Sequence, residues 1–254
     1  MADYTCISIG INHYQFLQPL NYAEADAEAV RQLLVKEIEI PPQQFLLLSD
    51  ASAWMGRQPT YPTRENILKW INGEYKATQE DFFPTSMTWF FFSGYGVCWQ
   101  GEDYLLPIDA NPADIPGTGI SMRSLFTALK KHSEDNILVL LDINHSPGIF
   151  AESPGAQTVA LAKEMGILVI LSSQLDQYSY ETISLGHGFF TAGLLEALRY
   201  YRQDVTLEKL DQYLSERLPE LSEHHYRPQQ TPLIVTPSTQ DRYKSLLPEP
   251  KKIE

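Results

Sequence analysis

Three apolar segments of the sequence end in residues that could do chemistry. One runs into SGYG at residues 93–96, a second into DINHS at residues 142–146, and a third into SSQ at residues 172–174. In an α/β sheet, ligands bind in the crevice beyond the carboxyl ends of the strands, so these residues are the expected site. Tyr95 is the candidate acid or base. Its flanking glycines permit a sharp turn, and SGYG can also be interpreted as a tight turn without chemistry.

Other familiar catalytic patterns are not found in the sequence. It contains no G-x-S-x-G elbow, no glycine-rich phosphate loop and no H-E-x-x-H pair. His187, in the segment GHGFF, is interpreted as a structural residue that closes a turn at a helix start. His224 and His225 lie in a polar stretch and are interpreted as a solvated surface pair.

Short apolar segments alternate with segments of helical period, which is typical of a mainly parallel sheet covered by helices. The pattern predicts six strands, at residues 6–11, 45–48, 87–92, 137–142, 167–172 and 233–235. It predicts helices at residues 22–36, 64–75, 122–131, 154–165, 188–201 and 207–217. The segment DYLLPID at residues 103–109 holds a proline, so we expect a short edge strand or hairpin there.

Charge and composition exclude several function classes. The chain has 19 basic and 32 acidic residues, a formal charge of −13, which would repel a nucleic-acid backbone. No apolar run approaches the roughly 20 residues of a membrane helix, and the start MADYTC does not resemble a secretory signal. Two cysteines are too few for a disulfide scaffold, which favours a reducing, cytoplasmic location.

The order of the motifs along the chain resembles the caspase-like peptidases, in particular the metacaspases and the cyanobacterial orthocaspases. The matching segments are ISIGINHY, NYAEADAEAV, FFFSGYG with DYLLPIDA, LVLLDINHS, LSSQ and GHGFFTAGLLEAL. Together they span about residues 4–237. The resemblance implies a three-layer α/β caspase-like fold, with a mainly parallel six-stranded sheet and helices on both faces. We expect this domain to occupy residues 1–240, with a tail or the start of a linker at residues 241–254.

The resemblance also assigns the catalytic positions. In that family the third strand ends in a histidine and the fourth in a cysteine, which act together as base and nucleophile. Tyr95 stands at the histidine position and Asn144 at the cysteine position. A carboxamide is a negligible nucleophile toward a peptide bond, so the sequence predicts a pseudoenzyme without the family's proteolysis. The alternative is a hydrolase or cysteine-type endopeptidase with altered machinery, using Tyr95 or Cys98, or residual activity through His145 or Ser146.

A pocket for arginine or lysine side chains is implied by the same resemblance. Its wall maps to Asp26, Ser93 and Asp142, all able to accept hydrogen bonds from a guanidinium or ammonium group. The structural alternative is that Asp142 bonds to the following turn and that Asp26 is a solvated helix residue. Because Met122 and Arg123 stand where the family's later calcium ligands would lie, Asp109 alone does not predict a calcium site.

These observations predict a domain that acts by binding, as a scaffold, a competitor for protease substrates or a regulator. The expected partner is a protein or peptide, with exposed arginine or lysine as one option, and we expect no nucleic acid, no membrane, no metal and no cofactor. The prolines of TPLIVTP at residues 231–237 discourage pairing of the last strand, so we expect a monomer. A further alternative is that the chain is one domain of a longer protein.

Overall fold

The computed structural model describes residues 4–52, 54–75, 87–133, 136–144 and 154–248. Its central sheet contains six strands in the order β12-β9-β8-β5-β1-β2. They are β1 (Tyr4–Gly10), β2 (Phe45–Ser49), β5 (Met87–Trp99), β8 (Ile137–Asn144), β9 (Leu168–Leu171) and β12 (Leu233–Val235). All neighbouring pairs are parallel except β12 with β9. The predicted mainly parallel six-stranded sheet is confirmed.

Short strands form antiparallel pairs around this sheet. They are β3 (Trp54–Met55) with β4 (Gln58–Pro59), β6 (Glu102–Leu105) with β7 (Ile120–Ser121), and β10 (Glu181–Thr182) with β11 (His187–Gly188). Strand β6 also pairs antiparallel with the far end of β5. The predicted hairpin or edge strand in DYLLPID is therefore β6.

Seven α-helices occur in the described ranges. They are α1 (Ala23–Gln32), α2 (Arg64–Ile71), α3 (Ile115–Thr118), α4 (Met122–His132), α5 (Ala156–Met165), α6 (Phe189–Tyr200) and α7 (Leu207–His224). Among these helices, none is long and apolar enough to cross a membrane.

The sheet is buried on both faces, because each central strand sends alternate apolar side chains to opposite sides. Apolar residues such as Ile9 of β1 and Phe92 of β5 pack with α2, α4 and α5. The alternate residues, such as Cys6 and Phe91, pack with α1, α6 and α7. The result is the three-layer arrangement that the sequence predicted.

Helix α1 lies very close to the sheet. A Cβ atom added to Gly10, the last residue of β1, would lie 2.1 Å from the carbonyl oxygen of Ala23 and 2.7 Å from Cβ of Ala27. Only glycine fits this approach, because any larger residue would push the helix backbone away. The close contact brings Asp26 of α1 to the end of the sheet where β5 and β8 carry their polar residues.

Several predicted boundaries were wrong. Strand β5 continues through SGYG to Trp99, so this segment is not a tight turn. Helix α5 begins at Ala156 after Gly155, whose φ of 125° is accessible mainly to glycine, and not at the proline before it. Helix α2 ends at Ile71, and α7 continues through Pro219 to His224. Proline disfavours a helix interior, but it does not end this one.

The segment after residue 240 also contacts the domain. Leu246 and Leu247 are buried, and the backbone N–H of Leu246 donates to the carbonyl of Val205 at 2.8 Å. The indole N–H of Trp89, in the central strand β5, donates to the carbonyl of Leu246 at 3.0 Å. The first part of the predicted tail is therefore packed into the fold.

Candidate functional site

Tyr95 and Asn144 lie beside each other at the carboxyl end of the sheet. They are register partners in the parallel pair β5 and β8, as are Ser93 and Asp142 two residues earlier. The carboxyl ends of parallel strands meet at one edge, and this edge is where an α/β sheet binds its ligands. The structure therefore brings together the two positions that the sequence resemblance assigned to a base and a nucleophile.

Tyr95 is held by a second tyrosine from the loop after β1. Its side chain is 8% exposed, and its ring centroid lies 5.0 Å from that of Tyr14. The backbone N–H of Tyr95 donates to the hydroxyl oxygen of Tyr14 at 2.8 Å. Burial raises the pKa of Tyr14, so this hydroxyl is neutral at physiological pH. Tyr95 is thus a packed residue of the strand end and not a side chain exposed on a loop.

Packing against Tyr14 explains why residue 94 is a glycine. A Cβ atom at this position would lie 2.5 Å from the hydroxyl oxygen of Tyr14. Any other residue would displace Tyr14 from the backbone N–H of Tyr95. The glycine therefore permits a close approach within a continuous strand, and the expectation of a sharp turn was wrong.

Cys98 does not join the Tyr95–Asn144 pair. It lies on the same strand as Tyr95, three residues on, and is the register partner of Asp103 in the β5–β6 pairing. Tyr95 and Val97 belong to the same apolar cluster, and Cys98, which follows Val97, points to the other side of the strand because neighbouring side chains alternate. Tyr95 is therefore not placed to act as a base for Cys98. The other two candidates, His145 and Ser146, lie outside the described residues.

The three predicted pocket residues, Asp26, Ser93 and Asp142, come together in a buried site. We call Asp26 and Asp142 the acid pair. Asp26 is 2% exposed, Asp142 1% and Ser93 1%. The hydroxyl of Ser93 donates to Oδ2 of Asp26 at 3.1 Å. The structural alternative for Asp26, a solvated helix residue, was wrong, because Asp26 faces the sheet and not the solvent.

Asp142 is bonded to side chains from other parts of the fold, and the turn that follows its strand lies outside the described residues. Its Oδ1 accepts a hydrogen bond from the Ser179 hydroxyl at 2.6 Å, and its Oδ2 accepts one from the Thr191 hydroxyl at 3.2 Å. Burial, followed by the nearby negative charge of Asp26, raises the pKa of Asp142. Burial likewise raises the pKa of Asp26. Two carboxylates that share a buried site cannot both ionise easily, and this cost is the site's main electrostatic feature.

His187 and Gly188 of β11 complete the site, and sequence reasoning assigned neither to it. Nδ1 of His187 lies 2.9 Å from Oδ1 of Asp26, and the backbone N–H of Gly188 donates to the same carboxylate. The contact spans 161 residues of sequence, which no local pattern predicts. The structural interpretation of His187 placed it in a turn, whereas it pairs with a predicted pocket residue. In the described part of the chain, neither carboxylate forms an ion pair with arginine or lysine.

The acidic residue considered for calcium has a structural partner. Oδ1 of Asp109 accepts a hydrogen bond at 2.9 Å from the backbone N–H of Arg64, the first residue of α2. Across the five described ranges, no group of three or more histidine, cysteine, aspartate or glutamate residues is arranged to hold a metal ion.

Comparison with known proteins agrees with this architecture. The sequence model of the family described as "Caspase domain" (Peptidase_C14) matches residues 4–243. Among solved structures, the chain is similar to caspase-1 from Spodoptera frugiperda, with a TM-score of 0.60 and 12% sequence identity, covering 99% of this chain and 92% of that one. No curated protein matches the sequence. A likeness at this identity shows the fold alone, but the family match covers nearly the whole chain, and the protein therefore belongs to the caspase domain family.

Proposed function

We propose that this caspase domain acts by binding and not by proteolysis, and that its acid pair receives an arginine or lysine side chain of a protein or peptide partner. The observation that carries the proposal is the pairing of Tyr95 with Asn144 at the end of β5 and β8. The positions that the family uses for a base and a nucleophile adjoin each other here and hold neither.

The chemistry of the two residues supports the absence of proteolysis. A carboxamide has no lone pair of useful nucleophilicity at nitrogen, so Asn144 does not form a covalent intermediate. A phenol is protonated at neutral pH and is a poor general base. The nearest described thiol is that of Cys98, which points away from Tyr95. Neither residue of the Tyr95–Asn144 pair is therefore a base or nucleophile suited to peptide hydrolysis.

The acid pair supports a basic ligand. Asp26 of α1 and Asp142 of β8 supply two carboxylates, and Ser93 of β5 adds a hydroxyl beside them. A buried carboxylate without a cationic partner is costly, and a guanidinium or ammonium group entering the site would remove that cost. Arginine suits the site best, because its planar guanidinium offers five donors.

The absence of proteolysis is tested with a broad peptide library that includes arginine and lysine at every position. We expect no cleavage above the buffer background from the wild type or from the variant Cys98→Ala, with trypsin on the same library as the positive control. The expected rate is lower than that of an active cysteine peptidase by several orders of magnitude. Cleavage by the wild type that disappears in Cys98→Ala would overturn the proposal and favour a hydrolase with altered machinery.

A further inference from the structure

Asp142 of the acid pair accepts a short hydrogen bond from the hydroxyl of Ser179. This serine lies in the segment between β9 and β10, and its Oγ donates to Oδ1 of Asp142 at 2.6 Å. Burial raises the pKa of Asp142 and the charge of Asp26 adds to this effect, whereas the hydrogen bond from Ser179 does most to lower it. Ser179 is therefore the neighbour that most favours the ionised form of Asp142.

Gln230, a fully buried residue just before β12, contacts Ser179 through its side-chain amide. Its Nε2 donates to Oγ of Ser179 at 3.2 Å and to the carbonyl of Ser172 at 2.9 Å. Its Oε1 accepts a hydrogen bond from the backbone N–H of Tyr180 at 3.1 Å. Because a backbone N–H only donates and a carbonyl only accepts, these contacts fix which end of the amide is the nitrogen. The group that faces Ser179 is therefore a donor.

The amide of Gln230 determines where the Ser179 hydroxyl points. A serine hydroxyl has one proton and two acceptor lone pairs. Since Nε2 of Gln230 donates to Oγ of Ser179, the hydroxyl proton turns to another partner, and Oδ1 of Asp142 lies at hydrogen-bond distance. We call this chain, from the Gln230 amide through the Ser179 hydroxyl to the Asp142 carboxylate, the relay. Donors in such a chain strengthen one another, so Gln230 reinforces the bond between Ser179 and Asp142.

The main chain of Gln230 is fixed as well. Its backbone N–H donates at 3.1 Å to the hydroxyl of Ser222, a buried residue of α7, and that hydroxyl donates to the carbonyl of Leu218 at 2.9 Å. Residues whose own conformations are fixed by packing and hydrogen bonds hold a binding group more precisely than mobile residues do. Gln230 thus supports the acid pair from α7 and from the segment before β12.

We propose that Gln230 and Ser179 are positioning residues of the acid pair: Gln230 directs the Ser179 hydroxyl onto Asp142, and this hydroxyl keeps Asp142 in the carboxylate form that attracts a basic side chain. The relay rests on the contacts above, whereas its effect on a ligand rests on the proposed function. Among the described residues, the titratable groups that face Asp142 are Asp26 on α1 and, in contact with Asp26, His187 on β11. The other neighbours of the two carboxylates are uncharged, namely the backbone of Gly188 and the hydroxyls of Ser93, Ser172 and Thr191.

The test compares the wild type with Ser179→Ala, with Ser179→Thr, which keeps a hydroxyl, and with Gln230→Met, which removes the amide. Gln230→Asn, whose shorter side chain withdraws the amide from Ser179, replaces Gln230→Met if that variant does not fold. Gln177→Met is the matched control, because Gln177 ties the same two segments together through Thr231, whose backbone N–H and hydroxyl donate to its Oε1 at 2.7 Å and 2.8 Å. The carboxyl carbon signal of Asp142 is followed by NMR against pH, and its assignment is checked with Asp142→Asn.

We expect the midpoint of the Asp142 signal to rise by about one pH unit in Ser179→Ala, because a hydrogen bond to the carboxylate is lost. In Gln230→Met it should rise by less, since the hydroxyl remains but is free to rotate, and in Ser179→Thr and Gln177→Met it should stay at the wild-type value. The same proteins are titrated with Nα-acetyl-argininamide. At pH 7 the affinity of Ser179→Ala is expected to be about fivefold below that of the wild type, and at pH 9 the two should be nearly equal, because only the ionised fraction of Asp142 differs.

The outcomes separate the relay from the function. An unchanged midpoint in Ser179→Ala would overturn the relay, whatever the titration shows, and an unchanged midpoint in the Gln230 variant alone would overturn the role of Gln230. A rise of the same size in Ser179→Thr or Gln177→Met would mean a general loss of packing and would overturn the specific role of the hydroxyl. The expected shifts of the midpoint without any arginine binding would support the relay and count against the proposed function.

Discussion

Replacing Tyr95 with histidine and Asn144 with cysteine in one variant is expected to produce thiol-dependent peptide cleavage that the parent chain does not have. The two positions are register partners at the end of β5 and β8, so an imidazole and a thiol placed there adjoin each other. The imidazole would take the thiol proton, and the thiolate would attack the peptide carbonyl. Cleavage is expected after arginine or lysine, because the acid pair is unchanged.

The matched controls are the single variants. Base and nucleophile act as a unit, so Tyr95→His alone should remain at background. Asn144→Cys alone should stay about 100-fold below the double variant, the usual contribution of a positioned base. The measurement is turnover of fluorogenic arginine peptides, with iodoacetamide to identify the thiol. A folded double variant no more active than Asn144→Cys would contradict the assignment of these positions.

The variant Asp142→Asn is expected to flatten the dependence of stability on pH. The folded-state pKa of Asp142 is raised from 3.8 to about 7, chiefly by burial and then by Asp26. A raised pKa means that the folded state binds the Asp142 proton more tightly than the unfolded state does. The contribution of this proton to the free energy of unfolding is complete below pH 4 and is lost as pH rises through about 7. An asparagine carries no such proton and keeps a similar shape. Between pH 5 and pH 8 the wild type is expected to lose on the order of 2–4 kcal/mol of its free energy of unfolding through Asp142, and Asp142→Asn is expected not to lose it.

Urea unfolding at pH 5 and pH 8 measures this effect as the change in the free energy of unfolding between the two pH values. Asp241→Asn is the control. The pKa of Asp241 is lowered, first by its hydrogen bond with Lys244, so its contribution is lost only in acid and stays constant from pH 5 to pH 8. If the free energy of unfolding changes equally with pH in Asp142→Asn and the wild type, burial does not raise the pKa of Asp142.

The sheet and its layers followed from the sequence because their signals are local. The continuous apolar runs of β1, β5 and β8, which are buried on both faces of the sheet, and the apolar stripes of the helices are each set by a few neighbouring residues. The order of motifs located Tyr95 and Asn144, and the register of β5 and β8 then placed them together. The acidic residues Asp26 and Asp142 were likewise predicted and lie in one site.

The remaining features depend on contacts between distant parts of the chain. SGYG reads as a turn because glycine permits one, but Gly94 is required by the hydroxyl of Tyr14, 80 residues earlier in the sequence. The contacts of His187 with Asp26 and of Glu181 with Asn21 join the two ends of the domain. Only the closed fold brings these residues together, so neither propensity nor spacing could have predicted them.

The proposed function rests on the residues of the site and not on the caspase fold, because one fold can support different activities. Here the packing around Tyr95 is as complete as that of a core residue, and the acid pair is fully bonded to its neighbours. The arrangement keeps two buried carboxylates near the Tyr95–Asn144 pair, which supports the proposed recognition of a basic side chain.

The most direct test of binding without cleavage is calorimetric titration of an arginine peptide and its citrulline counterpart at pH 8, followed by mass spectrometry of the peptides. Citrulline keeps the shape of arginine and removes its charge. We predict that only the arginine peptide binds and that both peptides stay intact. Binding is expected to be weaker at pH 6, because the raised pKa of Asp142 leaves its carboxyl protonated there, and to be lost in Asp142→Ala. Equal binding of both peptides, or a cleaved arginine peptide, would contradict the account.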